Sequence, residues 1–539
     1  MSLSVSFHQY RGSLAQASTQ LLASPWLIVL IAVYLLVGLG APPLFDLDEG
    51  AFSSATMEML LRNDFITTYM GGQLRFDKPI LIYWLQALSV SSFGLNEFAL
   101  RLPSALCASL WCAALFIFVR QYLDASRAGT AVVLLASSLV FSVIARAATA
   151  DALLNLFLAL ALFDTYRALT GTEDTLKNVR LRAYLWVGLG VLAKGPVAIL
   201  IPVVVATLFT LSTRNWRAWS ALMINPLGWA IAAAVFLPWY IAEYRVQGQA
   251  FIDGFILKHN VSRFSSTMEG HGGHWYYYLP VSLLVFMPAT GYFMQVLLRG
   301  KRLLQHPLDV FCLCWFSFVL VFFSFSNTQL PHYLLYGATP IFILIARYRE
   351  QLKHIAWVAV PVALFLAALL ALPEIAQHVI ATNKKLELVA MLQAGLGYLD
   401  GSYRAALAAA LIAVLAIAGM RSLAVWQRQL WISLVFTLVF IHTVLPTYGA
   451  IQQTPVRQAA EIARHLDDKL VMWQHDMPSF AVYLGRVVDI RPPVPGEVVF
   501  TGLDQLPNFP SAQILFNQGG VVLARIARAP NSLNEKKEP

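Results

Sequence analysis

Apolar runs of about 17–22 residues recur along this chain with few charges inside them, the length a helix needs to cross the hydrocarbon core of a bilayer. They fall near 25–45, 101–121, 127–145, 149–168, 181–193, 196–212, 226–246, 275–297, 307–326, 331–347, 354–373, 403–419 and 428–447. That is about thirteen candidate spans, with ends good to a few residues. The composition agrees: 58% of the 539 residues are hydrophobic and only 12% charged, against about 25% charged in ordinary soluble proteins. The expected fold is an all-α polytopic membrane protein.

The net charge of +9 would suit a nucleic-acid partner if it formed a patch, but it is spread over alternate short loops. Arg120 and Arg127, Lys177 with Arg180 and Arg182, Arg214 with Arg217, and Arg299 with Lys301 and Arg302 all fall on one side. Short basic loops of this kind mark the cytoplasmic face, so the charge reads as topology and no nucleic-acid partner is expected. The opposite loops are long, covering 46–100, 246–274 and 374–402, and an odd span count puts the tail on their side. In that tail "TPVRQAAEIARHL" reads as a helix with Pro455 in its first turn. "KLVMWQH", "SFAVYL", "EVVFTG" and "GGVVLARIA" read as short strands. The expected division is a membrane domain at 1–447 and a small outer α/β domain at 448–539. Cys107, Cys112, Cys312 and Cys314 all lie in apolar runs and suggest neither disulfides nor a zinc motif. The first 24 residues show no clear small-residue cleavage site, so the first helix is expected to be retained.

Within the first outer loop, "DEGAFSSATMEMLLR" reads as an amphipathic helix lying in the membrane interface. "KPILIYWLQALSVSSFG" reads as a second one, with Tyr83 and Trp84 at headgroup depth. Polar residues of unusual type map to the same side. They are Asp48 and Glu49, Asp77 and Lys78, Arg146 and Asp151, Lys194, His259, Asn260 and Arg263, His271 and His274, and Gln329, His332 and Tyr333. Each has a plain explanation alone: Arg101 as a snorkelling anchor, Arg146 and Lys194 as partners of Asp151, Asp48-Glu49 as a helix cap. Taken together, ionisable residues at membrane depth mark function. A transporter would place such charges at the bilayer midplane in matching halves. An enzyme acting on a lipid would place them at one interface under a roof, and the one-sidedness favours the enzyme.

On these residues the chain resembles the bacterial aminoarabinose transferases and the related protein O-mannosyltransferases, membrane glycosyltransferases of the C-type (GT-C) superfold. The matching elements are the acidic pair Asp48-Glu49, Phe76-Asp77-Lys78-Pro79, Arg146 with Thr149 and Asp151, Lys194-Gly195, His259-Asn260 with Arg263-Phe264, and Ser324 and Ser326 followed by Leu330, Pro331 and Tyr333. The resemblance implies transfer of a sugar, such as 4-amino-4-deoxy-L-arabinose or a related pentose or hexose, from undecaprenyl phosphate to lipid A or another envelope acceptor. It also implies a site on the periplasmic side of the bacterial inner membrane. Asp48 and Glu49 are then the expected catalytic acids. Lys78, Arg146, Lys194, Arg263 and Tyr333 are expected at the donor phosphate, with Asp77, Asp151, Asn260, Gln329 and His332 in support. No cofactor is implied with certainty. A divalent metal ion on Asp77, His259, His271 and His274 is the one candidate. A protein acceptor in the same superfold, or a membrane transporter, are the alternative readings.

Overall fold

The computed structural model describes residues 19–171, 176–262 and 273–527. Arg263 and His271 lie outside the described residues, as does the side chain of Asn260. Among the described residues six helices are long and apolar enough to cross a membrane, and a seventh is a pair, Ala356–Leu370 and Leu372–Thr382, bent by 48°. The bend falls at Pro373, whose missing N–H breaks the helical ladder. The core is one continuous apolar cluster spanning nearly all of these helices.

Several expected spans are interrupted. The run at 127–145 divides into Ala125–Ala136 and Leu139–Ile144, and the run at 275–297 into Tyr278–Val285 and Thr290–Leu298. The two breaks meet, since the Leu139 N–H donates to the Met287 carbonyl oxygen at 2.9 Å. Away from water a backbone group freed by a break needs a protein partner, and each break supplies the other. The run at 331–347 opens as a 3₁₀ turn, Pro331–Gly337, before the helix Ala338–Tyr348.

Two expectations for the first long loop are corrected. The helix Asp48–Arg62 has no exposed polar face of the kind an amphipathic surface helix shows, because every residue from Glu49 to Met59 is buried. Two of its polar side chains are paired internally: the Thr56 hydroxyl donates to Gln86 Oε1 at 2.7 Å, and Glu58 pairs with Arg62 at 3.3 Å. In the following helix, Leu81–Phe93, Trp84 is exposed, but Tyr83 is fully buried and stacks on Phe52. Between these helices the short strands β1 (Tyr69–Met70) and β2 (Gln73–Leu74) form a hairpin that brings the chain back to Asp77.

The tail also departs from expectation at two points. The helix expected around Pro455 begins earlier and runs Leu445–Ala463 through the expected boundary, with Pro446 rather than Pro455 in its first turn. "SFAVYL" is a helix, Ser479–Leu484: Pro478 sets its entry and Gly485, at φ +75°, closes it in the left-handed conformation. The other runs are strands. β3 (Leu470–Met472), β4 (Asp489–Ile490), β5 (Val498–Gly502), β6 (Gln513–Gln518) and β7 (Val521–Arg525) form one sheet in the order β4-β3-β5-β7-β6. β3 pairs parallel with β4 and β5, and β7 pairs antiparallel with β5 and β6. One face of this sheet packs on Phe480, Val456 and also Met57, so the Asp48–Arg62 helix belongs to the small domain's core.

Candidate active site

A cavity of about 370 Å3 is lined by Asp77, Lys78, Lys194, His259, Tyr333 and Tyr336 on its polar side. Val197, Leu200, Phe322 and Phe323 make its apolar wall. Its size lies within the usual range for small-molecule sites. The six polar residues arrive from four separate pieces of chain. Lys194 ends the helix Leu176–Lys194, and Asp77 and Lys78 lie just before Leu81–Phe93. His259 comes from the wide helical turn Ile252–Ser262.

Tyr333 and Tyr336 share the 3₁₀ turn Pro331–Gly337, and three residues per turn eclipses positions i and i+3. The rings accordingly stack at 5.9 Å, and Lys194 Nζ lies 5.8 Å from one centroid and 5.3 Å from the other. Lys194 donates to the Asp151 carboxylate, and to the Tyr336 hydroxyl at 2.7 Å. Tyr336 in turn donates to the same Asp151 oxygen at 2.7 Å. His332 Nε2 stands 3.7 Å from that oxygen. Asp151 therefore has its charge compensated and holds Lys194 with its ammonium at the cavity wall.

The second polar unit centres on Asp77. His259 Nε2 meets Asp77 Oδ1 at 2.9 Å, and Arg75 Nη2 meets Oδ2 at 3.0 Å. Burial alone would raise this carboxyl's pKa, but His259, Arg75 and Lys78 outweigh it and hold Asp77 well below the usual carboxylate range. It stays ionised and fully engaged, which makes it a holder of cations rather than a proton acceptor. Lys78 Nζ donates to the Asp77 carbonyl oxygen at 3.1 Å.

The remaining expected residues fall elsewhere. Asp48 is exposed at the start of its helix and outside the cavity lining, though its charge acts on Arg75. Glu49, its expected catalytic neighbour, is engaged within the protein. Its carboxylate takes both Nε and Nη2 of Arg101 at 2.8 Å, together with the N–H groups of Phe45 and Ala148 at 2.9 and 2.7 Å. Arg101 is not a snorkelling anchor either: it is 2% exposed and gives its other donors to the carbonyls of Leu39, Pro42 and Pro43. This closed pair leaves Glu49 no lone pair for substrate. Arg146 lies outside the cavity lining, against Tyr34. Gln329 is buried and donates to the Ser324 carbonyl oxygen, and His274 is exposed and stacked on Tyr276. Among the described residues no three metal-ligating side chains gather. Asp77 and His259 are the two expected ligands that meet.

Two members of the site went unassigned in the sequence. Tyr336 has a signal in "PHYLLYG", a second tyrosine three residues after the first. Arg75 stands in "RFDKP", two places before the acid it holds. Arg75 also lies 5.6 Å from the Phe52 ring centroid.

Just upstream, Asp46 ties the first loop to the small domain by accepting the Ser479 N–H at 3.0 Å and the Ser479 hydroxyl. Burial, helped by Asp476 and Glu49 and opposed by the Ser479 bonds, pushes Asp46 up to about 7. The unfolded value is about 4, so the folded chain holds a proton here that the unfolded chain releases between those limits. The stability tied to that proton is full below about pH 4 and is lost as pH rises towards 7. Asp46→Asn is expected to flatten that part of the thermal stability profile. An unchanged profile would show that another group titrates.

Comparison with known proteins places this arrangement. The family described as dolichyl-phosphate-mannose-protein mannosyltransferase matches residues 77–241. The crystal structure of ArnT from Cupriavidus metallidurans bound to undecaprenyl phosphate superposes with a TM-score of 0.79, covering 94% of this chain and 98% of that one at 20% identity. The chain has the ArnT fold. In sequence it is similar to the undecaprenyl phosphate-α-4-amino-4-deoxy-L-arabinose arabinosyl transferase of Serratia proteamaculans, 29% identical over 341 residues. It is 30% identical over 347 residues to a transferase of the same name from Pseudomonas fluorescens. These matches take in 61% and 62% of this chain and span 60% and 57% of the relatives' lengths. The ArnT fold accounts for both halves of the architecture, the interrupted helical bundle and the small sheet domain packed on it.

Proposed function

We propose that this chain is a glycosyltransferase that moves a sugar from a polyprenyl-phosphate carrier, undecaprenyl phosphate, to an acceptor at the periplasmic face of the bacterial inner membrane. The observation that carries the reading is the composition of one cavity. Two lysines and two tyrosines stand opposite a wall of aromatic and aliphatic side chains. That pairing suits a ligand with a phosphate at one end and a prenyl chain at the other. The named arabinosyl transferases and the ArnT complex with undecaprenyl phosphate support the same donor.

In the proposed reaction an acceptor oxygen attacks the anomeric carbon as its bond to the carrier phosphate breaks, with inversion. The phosphate departs with both electrons of that bond. Lys78 and Lys194 neutralise the charge it gains, a term worth most in a water-poor site. Arg263 is proposed as a third cation, with Asn260 and His332 in support, and Tyr333 as a hydrogen-bond donor. Asp48, the carboxylate left open at the helix start, orients the acceptor and takes its proton where the acceptor is a hydroxyl. A divalent ion, if bound, would take Asp77 and His259 as ligands in place of their direct 2.9 Å contact and would add positive charge beside Lys78. The sugar is proposed as 4-amino-4-deoxy-L-arabinose or a related pentose or hexose, and the acceptor as lipid A or another envelope molecule. About thirteen spans, with the small domain on the periplasmic side, complete the proposed topology.

The test is the purified full chain in lipid vesicles with undecaprenyl-phosphate-linked aminoarabinose and lipid A, read by mass spectrometry of the lipid products. A new glycosidic product is expected. Uptake of the sugar lipid or sugar across sealed vesicles with no glycosidic product would overturn the reading in favour of transport. Asp48→Asn is expected to slow transfer to a hydroxyl acceptor by about 10²-fold and to affect a phosphate acceptor much less.

A further inference from the structure

A lysine ammonium carries three N–H donors. In Lys194 one goes to the Asp151 carboxylate and one to the Tyr336 hydroxyl at 2.7 Å, and the third has no hydrogen-bond partner among the described residues. The side chain is 10% exposed and lines the cavity. An ammonium is tetrahedral, so fixing the bond to Cε and two of the N–H bonds also fixes the direction of the third. That proton is the one Lys194 can give to a ligand. Arg101 differs, because its donors are spent on Glu49 and three carbonyls.

Tyr336 closes the arrangement. Its hydroxyl proton goes to the same Asp151 oxygen at 2.7 Å, so each of the three groups is bonded to the other two. A phenol has a single proton. With that proton on Asp151, the hydroxyl acts on a phosphate in the cavity by way of Lys194. The tyrosine itself is held by other contacts. The Trp315 indole N–H donates to its carbonyl oxygen at 2.7 Å, and its ring stacks on Tyr333 and meets Phe323 edge-on at 5.6 Å. Without the hydroxyl the ring would stay, but the ammonium would keep Asp151 alone. A second N–H would then face an aromatic wall, a buried donor left unsatisfied, and the ammonium would be free to turn.

We propose that Tyr336 is a positioning residue: through its hydroxyl it fixes the Lys194 ammonium so that a single N–H is presented to the phosphate in the cavity. The proposal rests on the sugar-transfer reading for the nature of that ligand, a polyprenyl phosphate.

The test is a double-mutant cycle on the purified full chain in detergent, read as calorimetric affinity for undecaprenyl phosphate, which requires no transfer. Tyr336→Phe keeps the ring and is expected to bind about tenfold more weakly, the cost of one hydrogen bond to a charged group. Lys194→Gln, whose amide can still donate to Asp151, is expected to bind more weakly still, and adding Tyr336→Phe to it is expected to cost nothing more. In transfer from undecaprenyl-phosphate-linked aminoarabinose, Tyr336→Phe is expected to lower kcat per binding-competent molecule more than it raises the donor KM, because the phosphate gains charge as its bond to the sugar breaks. An equal loss of affinity from Tyr336→Phe in both backgrounds, no loss in either, or no binding by wild type overturns the proposal. Binding that follows the cycle without any sugar product would overturn the transfer reading and leave Tyr336 in its role at the phosphate. Should Lys194→Gln not fold, Tyr336→Phe alone decides. Weakened affinity at full stoichiometry supports the positioning role, and reduced stoichiometry at wild-type affinity, the mark of a purely structural defect, overturns it.

Discussion

Lys78→Ala is expected to insert and fold as wild type does and to transfer sugar about 10²–10³-fold more slowly, the usual cost of removing one preorganised donor from a developing oxyanion. Two features make this the sharpest probe of the cavity. Lys78 lies in a loop, and it donates to the carbonyl of the preceding residue. Asp77, the carboxylate beside it, keeps Arg75 and His259 when Lys78 is removed. Lys194→Ala would be less informative, because it strips Asp151 of its cation and mixes a folding defect with a catalytic one. The measurement is single-turnover transfer in vesicles, normalised to folded protein. Full activity in Lys78→Ala would remove this residue from the mechanism.

Glu49→Ala is expected to do the reverse, lowering stability rather than chemistry. Breaking one partner of a buried, hydrogen-bonded ion pair costs about 3–5 kcal/mol, since the arginine left behind has nowhere to put its charge. Arg101 is 2% exposed, which places it in that regime. The yield of folded protein and its Tm should fall sharply, and the molecules that do fold should retain turnover. Loss of turnover at normal stability would return Glu49 to the catalytic group.

Adjacent acids with opposite fates show where reading a sequence stops. Successive residues on a helix point about 100° apart, so Asp48 and Glu49 cannot both face the same surface. Nothing in "DE" says which turns inward. The answer lies in Arg101, whose guanidinium meets an acid 52 positions upstream. The cations were easier. Lys78 and Lys194 stand at the ends of apolar runs, where a charge is conspicuous, and the structure brings both to one cavity with Tyr333.

The spans were legible as apolar length, but not their interruptions. The break at Ser137–Ser138 is stabilised by the Met287 carbonyl, and such long-range pairing leaves no local mark. "SFAVYL" suits a strand by composition, yet flanking Pro478 and Gly485 set a helix. Arg75 is inconspicuous beside Asp77 and Lys78, although it is a residue that holds one of them.

Met57 looks into the sheet of the C-terminal domain while Phe52 and Met59, on the same helix, join the transmembrane core. One rod is thus mortared into two walls. Shortening the protein to its lipid-embedded portion would not release a working half. It would bare the flank of the segment that begins with Asp48, so the C-terminal sheet behaves as a buttress rather than an accessory.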